Sequence, residues 1–157
     1  MAVELREVKS RKDLKTFIYL PEKIHADHPN WVHPIYLDEW KYFNPEKNKA
    51  FSYCETIRLV AFRDKQAVGR IMGIINPRFN EFRKEKTARF GYLETHQDEE
   101  LVRLLLKRVE DWAREKGMTK IIGPYGFSDQ DPEGFLVQGF DNRATIATYY
   151  NFEWMPG

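Results

Sequence analysis

The sequence has only one cysteine, Cys54, in 157 residues, so no internal disulfide can form. A lone thiol is typical of proteins in reducing compartments rather than of secreted domains built on disulfides. Long apolar runs are also missing, since none approaches the roughly 20 residues that a membrane helix needs. The first residues alternate in charge and carry no apolar leader segment. These absences predict a cytoplasmic protein with no membrane segment.

An excess of charge of either sign is missing as well. The chain has 25 Lys+Arg and 24 Asp+Glu residues, for a net charge of +1. This balance gives no overall electrostatic reason to bind nucleic acid or an anionic membrane, and neither partner is expected. Aromatic residues make up 15% and hydrophobic residues 42%, which argues against intrinsic disorder. Residues 1–157 are therefore expected to form a single domain with its own core.

The first part of the chain predicts one strand and two helices. Alternating apolar and polar residues indicate a half-buried strand over residues 2–9. Apolar residues then recur at helical spacing over residues 14–24, and Ser10 is placed to cap this helix. Pro21 falls inside the helix and is expected to kink or split it. A shorter helix is expected over residues 35–43.

The middle of the chain predicts three strands. Residues 52–63 and 66–75 are apolar segments separated by an Asp-Lys turn, which favours a hairpin. Residues 76–86 are basic and polar, and we expect them to form a connection. Residues 87–94 then form a third strand of this middle sheet.

The strongest helical pattern lies over residues 99–116. Its apolar residues fall on one stripe of a helix, namely Leu101, Leu104, Leu105, Val109, Trp112 and Ala113. Asp98 is placed to cap the beginning of this helix, and Gly117 is placed to end it in a left-handed conformation. A short strand over residues 118–123 follows. A strand, a long helix and a strand predict two parallel strands joined by a right-handed crossover.

The order of elements predicts an α+β fold with a mixed sheet. The N-terminal strands should pair antiparallel, and the last step should be parallel, with helices on both faces. Beyond Pro124 the sequence is rich in glycine, aspartate and aromatic residues, with no clear periodicity.

Several local strings resemble the GNAT acyl-CoA N-acyltransferases. AVGRIMGII resembles the third strand of that family, and LLLKRVEDWAREKGMTKIIG resembles its central helix and fifth strand. Other strings, including WVHPIYLDE, FGYLET, IIGPYGFSDQDPEGFLVQGFD and TYYN, resemble a group of uncharacterised bacterial GNAT-like proteins. The resemblance implies transfer of an acetyl group from acetyl-CoA to the amine of a small molecule or a protein.

The resemblance also implies a general base at the end of the fourth strand, where Glu94 stands. A carboxylate can serve there if partial burial brings its pKa near the working pH. The alternative is a solvated carboxylate at a strand end. Tyr92 and Leu93 would offer backbone groups to the pantetheine arm of the cofactor.

GNAT enzymes hold the CoA pyrophosphate with a Q/R-x-x-G-x-G/A loop before the central helix. The residues at that position here are Gln97, Asp98, Glu99, Glu100, Leu101 and Val102. Gln97 matches the pattern, but Glu100 and Val102 replace its two glycines. The acidic residues suit the helix dipole and would repel a pyrophosphate. Two interpretations follow: an acetyl-CoA-dependent N-acetyltransferase, and a degenerate GNAT-like domain without CoA binding that acts as a structural or protein-interaction module.

A complete GNAT domain continues after its fifth strand with a helix that carries a tyrosine and with two more strands. This chain stops at YYNFEWMPG, so the resemblance predicts the N-terminal fragment of a longer protein. The missing C-terminal half, or a second copy of the chain, would then complete an open sheet edge. Tyr149, Tyr150 and Asn151 lie near the position of the tyrosine helix, and we expect them to pack rather than to act as acids.

Two further patterns could carry binding sites. His25, His28 and His33 occur in a turn-rich loop, but Pro29 and Pro34 beside them and the absence of a nearby cysteine argue against a zinc site, so no metal is expected. Residues 78–89 mix basic and aromatic side chains, which could contact RNA or an acidic ligand. Acidic residues dilute this stretch, and a solvated connection is the preferred interpretation.

Overall fold

The computed structural model describes residues 2–146, 148 and 150–157. Five strands form one sheet in the order β1-β2-β3-β4-β5, namely β1 (Glu4–Glu7), β2 (Glu55–Arg63), β3 (Gln66–Ile75), β4 (Thr87–Thr95) and β5 (Lys120–Ile122). The α-helices are α1 (Arg11–Ile24), α2 (Tyr36–Tyr42), α3 (Pro77–Arg83) and α4 (Glu99–Glu115). Neighbouring strands are antiparallel from β1 to β4, and β4 and β5 are parallel. The predicted α+β fold with a parallel last step is confirmed.

The β2–β3 hairpin has the turn that its sequence predicts. Asp64 and Lys65 have φ angles of 50° and 67°. Two consecutive left-handed residues are the signature of a type I′ turn, whose twist matches that of the strands.

The connection between β3 and β4 corrects one prediction, because it contains helix α3. Asn76 accepts a hydrogen bond from the Phe79 amide, and Pro77 occupies the first turn. Both features favour a helix start. The helix has seven residues and buries none of them, so it leaves no apolar stripe in the sequence.

Helix α1 corrects part of a second prediction, because it is not split at Pro21. Ser10 and Asp13 cap its start reciprocally, and the helix runs without a break from Arg11 to Ile24. Pro21 has no N–H to give to the carbonyl of Phe17, four residues earlier. Arg70 of β3 donates to that carbonyl instead, at 2.7 Å. The helix therefore tolerates the proline because the sheet satisfies the orphaned oxygen.

The two faces of the sheet carry different cores. Helix α4 lies on one face, where Leu101, Leu105 and Val109 pack with aliphatic residues of β2, β3 and β4. Helix α1 lies on the other face, where Phe17 and Phe43 belong to a cluster rich in aromatic side chains.

The segment after β5 runs over the α1 face as turns and loops. Phe127 belongs to the α1-face cluster, and the amide of Ala144 donates to Asn30 at 2.9 Å. Across the described residues, no helix combines the length and the apolar character that spanning a membrane requires.

Candidate functional site

A β-bulge in β4 decides which face carries Glu94. Between the pairs Arg70–Glu94 and Met72–Gly91, β4 uses one residue more than β3, and Tyr92 adopts a left-handed φ of 56°. Before the bulge, Ala88 packs on the α4 face, whereas after it Leu93 does so. The extra residue thus reverses the alternation of side chains, and Tyr92 and Glu94 point toward α1.

A cavity of about 220 Å³ opens on the α1 face in front of Glu94. Its wall combines four carboxylates and one guanidinium with apolar and aromatic side chains. The apolar part includes Pro21, Trp31, Val32, Pro34, Ile35, Pro132 and Tyr150, and the charged part is Asp38, Glu39, Arg70, Glu94 and Asp131. A concave site with few convergent polar groups in an apolar wall is the usual form of a small-molecule site.

The carboxylate of Glu94 is held from behind by a histidine. His25, the residue that ends α1, has its Nε2 2.7 Å from Glu94 Oε2. The Nδ1 of His25 lies 3.1 Å from the Nδ1 of His28. The side chain of Glu94 is 12% exposed and that of His25 is fully buried. Glu94 is therefore a partly buried, oriented carboxylate rather than a solvated strand end.

Aromatic rings hold the two histidines in place. Trp31 and Phe152 stack on His25 with centroid separations of 5.2 and 4.6 Å. Phe152 also stacks on His28 at 4.7 Å. Because Phe152 comes from the segment after β5, that segment forms part of the site.

A second hydrogen-bonded group borders the cavity. Tyr92 donates to the hydroxyl of Tyr42, and Tyr42 donates to Asp131 at 2.8 Å. Burial is the main reason that the pKa values of both tyrosines lie above the ordinary value, so both remain protonated donors. The bulge residue Tyr92 is thereby tied to α2 and to the segment after β5.

Arg70 and Glu39 face the same cavity without an ion pair. Arg70 is 4% exposed and donates to the backbone carbonyls of Phe17 and Tyr92. Burial raises the pKa of Glu39, and the charge of Arg70 opposes that rise. The wall carries four carboxylates against one guanidinium, so its net charge is negative even with Glu39 protonated, which suits a cationic ligand.

The predicted cofactor residues divide between the cavity, the core and the surface. Tyr92 borders the cavity, whereas Leu93 and Leu101 are 3% and 2% exposed in the α4-face core. Val102 packs partly buried against the same core, and Gln97, Glu99 and Glu100 are exposed.

Asp98 occupies the beginning of α4 with its own side chain. It accepts from the Leu101 amide at 3.0 Å and from Arg63 at 2.9 Å. These bonds, the Leu101 amide first, hold the pKa of Asp98 below its usual range. The carboxylate of Asp98 thus occupies the beginning of α4, where a GNAT phosphate loop would present glycine amides. The beginning of α4 therefore does not fit a pyrophosphate in the usual way.

The edge of β4 that faces β5 is only partly paired. Strand β5 pairs only with residues 87–89 of β4, although β4 runs on to Thr95. The chain after β5 stays beside β4 as far as Phe90, whose carbonyl accepts from the Tyr125 amide at 2.9 Å. A Cβ on Gly123 would lie 2.3 Å from that carbonyl, so only glycine allows this approach. Beyond it, residues 92–95 have no strand on that side in the described chain.

The remaining candidates have structural partners. Arg89 is buried, stacks over Phe79 and Tyr125 and donates to two backbone carbonyls, so it is not part of an exposed basic patch. His33 stacks on Tyr36, away from the other two histidines. Among the described residues, no group of three His, Cys, Asp or Glu side chains is placed to hold a metal.

Of the three candidate residues near the chain end, one borders the cavity and one is buried away from it. Tyr150 borders the cavity and donates to the Phe140 carbonyl, and the buried Asn151 bonds to the backbone of Leu136. Tyr149 lies outside the described residues.

Sequence reasoning missed the histidine partner of Glu94 and most of the cavity wall. His25 and Glu94 are 69 positions apart, and no local pattern joins them. The only available signal was the density of histidine and aromatic residues in the segment after α1.

Comparison with known proteins gives two relatives and a set of similar folds. No protein-family profile matches the chain. The chain is 34% identical over 142 residues to the bacterial ceramide synthase of Caulobacter vibrioides, covering 88% of this chain and 36% of that protein. It is 29% identical over 150 residues to protein YghO of Escherichia coli, covering 96% of this chain and 38% of that protein. The chain thus spans little more than a third of either relative.

The solved structures with a similar fold are acetyltransferases. A tandem GNAT protein from the clavulanic acid biosynthesis pathway superposes with a TM-score of 0.58 at 16% identity, covering 76% of this chain and 35% of that one. An aminoglycoside acetyltransferase from an uncultured soil sample, solved with sisomicin, gives 0.55 at 16% identity, with 79% and 78% covered. A predicted acetyltransferase of Clostridium acetobutylicum, solved with acetyl-CoA, gives 0.53 at 13% identity, with 77% and 79% covered.

Proposed function

Since the chain has the fold of the GNAT acyltransferases, we propose that it is an N-acyltransferase domain that joins an acyl group from a CoA thioester to an amine. The observation that carries this proposal is Glu94, an oriented and partly buried carboxylate at the wall of a cavity on the α1 face. A base in this position can take a proton from an amine that enters the cavity.

Glu94 has one role in this reaction, which is to accept a proton from the acceptor ammonium. The free amine then forms a C–N bond to the acyl carbon while the C–S bond of the thioester breaks. The ammonium loses two protons overall: one ends on the departing sulfur and the other leaves through Glu94 to solvent. Positioning and deprotonation are therefore what the described residues contribute.

The cavity wall supports an acceptor that has both a cationic and an apolar part. Asp38, Glu39 and Asp131 join Glu94 among the charged residues of the wall, and Trp31 and Ile35 are among its apolar residues. Ile35 and the neighbouring Leu37 are 48% and 75% exposed, so the apolar surface continues beyond the cavity. With the 34% identity to a bacterial ceramide synthase, this favours a long-chain amine as the acceptor over a protein amine.

The donor is proposed to contact the free edge of β4 rather than the beginning of α4. Residues 92–95 have no strand partner toward β5 in the described chain, and Tyr92 and Leu93 are the predicted contacts of the pantetheine arm. Asp98 closes the first turn of α4, and Glu99 and Glu100 add exposed negative charge there. The phosphates of CoA would need another contact.

That closed helix start favours a second candidate function. In it, the domain has kept the fold but binds no CoA, and it serves as a structural or interaction module of a longer protein. The outer edge of β5, which has no strand partner among the described residues, would then receive the remainder of the sheet.

The experiment that separates the two functions incubates the purified protein with acetyl-CoA or palmitoyl-CoA and one amine. Sphinganine, spermidine and the aminoglycoside sisomicin serve as the amines, and mass spectrometry detects N-acylated product. Product with sphinganine only is the expected result, and product with sisomicin or spermidine instead would overturn the long-chain acceptor. No product, together with no heat in a calorimetric titration with millimolar acetyl-CoA, would favour the second function.

A further inference from the structure

Glu94 and the two histidines behind it, His25 and His28, form an ordered chain of three side chains. His25 contacts Glu94 Oε2, and His28 contacts His25, whereas the cavity wall contains Glu94 and neither histidine. We propose that His25 and His28 are positioning residues for the base: His25 holds one oxygen of Glu94, and His28 determines which nitrogen of His25 carries its proton. This inference rests on the proposed acyl transfer and assigns residues that act through Glu94.

The nitrogen–nitrogen contact restricts the protons that the histidines can carry. At 3.1 Å, the Nδ1 atoms of His25 and His28 share one hydrogen bond, so only one of them carries the proton between them. The Glu94 carboxylate accepts only, so His25 donates from Nε2. A neutral His25 then has a bare Nδ1, and His28 must donate from its own Nδ1.

The carboxylate has one oxygen left for a substrate. Oε2 of Glu94 accepts from His25, and Oε1 accepts no hydrogen bond from the described residues. Glu94 itself belongs to the cavity wall. Holding Oε2 against His25 thus leaves Oε1 as the atom that can accept a proton from an amine in the cavity, at no cost for reorienting the side chain.

The rings around the histidines keep the chain from rearranging. Trp31 and Phe152 lie nearly parallel to His25, at interplanar angles of 7° and 17°, and Phe152 lies at 8° to His28. His25 is 1% exposed, so water does not compete for its ring nitrogens. A flip of the His25 ring would have to displace Trp31 and Phe152, which stack on it, so the packing restricts which way its nitrogens face.

The surroundings of His28 favour its neutral form. Burial is the main cause that lowers the pKa of His28, and a positive charge on His25 would lower it further, while Glu94 from β4 and Glu153 from the segment after β5 oppose this. His28 is therefore neutral at neutral pH and has one N–H to give. With a neutral His25, the hydrogen bonds run from His28 through His25 to Glu94, whereas a proton on the Nδ1 of His25 would reverse the bond to His28, and the two arrangements differ in their nitrogen-15 spectra.

Nitrogen-15 NMR of the protein tests the proton positions without any substrate. The expected spectrum at pH 7.5 shows His25 protonated at Nε2 and His28 protonated at Nδ1. The variant His28→Leu should allow His25 to populate both neutral forms. A spectrum in which His25 carries its proton at Nδ1 in the unmodified protein would overturn the proposal.

Paired variants test the effect on the reaction. His25→Gln keeps an amide N–H near the Nε2 position, whereas His25→Leu removes the donor. We expect kcat for N-acylation of sphinganine to fall at least about 10-fold in His25→Leu and less in His25→Gln, with the KM for the acyl-CoA unchanged. His28→Asn, which keeps a donor near Nδ1, should likewise retain more activity than His28→Leu. The pH at which kcat/KM falls to half should move in the leucine variants only.

Equal losses in the leucine and amide variants, at equal melting temperatures, would mean a purely structural role and would sink the inference. If the unmodified protein acylates no amine, the proposed function fails by itself, and the NMR result still decides whether the ordered histidine chain exists.

Discussion

The two faces of the sheet show how one scaffold can separate packing from chemistry. The α4 face is an aliphatic core, in which Leu105 and Val109 are fully buried against the strands. The α1 face buries large rings together with polar groups, among them Arg70 and His25. Buried polar groups require partners, and here they are satisfied by backbone carbonyls and by one another.

This difference shows that the site depends on buried polar groups whose hydrogen bonds are satisfied. On the α4 face, a substitution changes volume and therefore stability. On the α1 face, it changes hydrogen bonds that orient the cavity wall. The following predictions test that separation.

Replacing the base should give the largest effect. Glu94→Gln removes the group that accepts the proton while keeping an acceptor for His25, so we expect kcat/KM for amine acylation to fall about 10²–10⁴-fold. The melting temperature should change little. The matched control Glu115→Gln removes the same charge at the exposed end of α4 and should leave the rate unchanged. A loss of only two-fold in Glu94→Gln would remove Glu94 from the mechanism.

Removing a buried side chain on the α4 face should lower the stability of the protein without lowering its activity. Leu105 is fully buried, and Leu105→Ala should lower the free energy of unfolding by about 2–5 kcal/mol. Leu104→Ala, on the same helix but at a side chain that is 37% exposed, should cost well under half of that. Urea denaturation measures both. Activity per folded molecule should be preserved in both variants, and its loss in Leu105→Ala would contradict the separation of the faces.

Removing the contact between Arg70 and α1 should lower the free energy of unfolding by an intermediate amount. Arg70→Met leaves the buried carbonyls of Phe17 and Tyr92 without this donor and should destabilise the protein by about 1–3 kcal/mol. Pro21→Ala supplies a helix N–H to Phe17, so it should recover about 1 kcal/mol in the Arg70→Met background and less in the unmodified protein. Strictly additive effects in a double-mutant cycle would show that Arg70 does not compensate for the proline.

Replacing Asp98 at the beginning of α4 should have the smallest effect on stability, and this effect depends on pH. Asp98 has a lowered pKa in the folded protein because it accepts from Leu101 and Arg63. Its contribution is therefore present above its unfolded pKa, near 3.8, and is lost as the pH falls through the lower folded pKa. Asp98→Ala should cost about 1 kcal/mol at pH 7. Asp98→Asn keeps a capping oxygen and should show a weaker dependence of stability on pH below 5, which denaturation at pH 3 and pH 7 can measure.

The local elements follow from short patterns in the sequence. The stripe of α4, the caps at Ser10 and Asp98 and the turn at Asp64 and Lys65 all depend on neighbours within four residues. Such patterns predict the order of elements and so the mixed sheet. Helix α3 escaped them because its seven residues bury no stripe. The position of Glu94 at the end of β4 was also predicted, although its partners were not.

The sequence by itself thus determined the strands and the helices α1, α2 and α4 in their order, and a carboxylate at the end of the fourth strand. The tertiary structure decided which face that carboxylate occupies, because the extra residue at Tyr92 reverses the side-chain alternation of β4. It also decided that His25, 69 positions away, holds Glu94, and that Arg70 replaces the hydrogen bond that Pro21 cannot make. Periodicity is a property of neighbouring residues, whereas a hydrogen bond between distant residues exists only after the sheet and α1 have packed together.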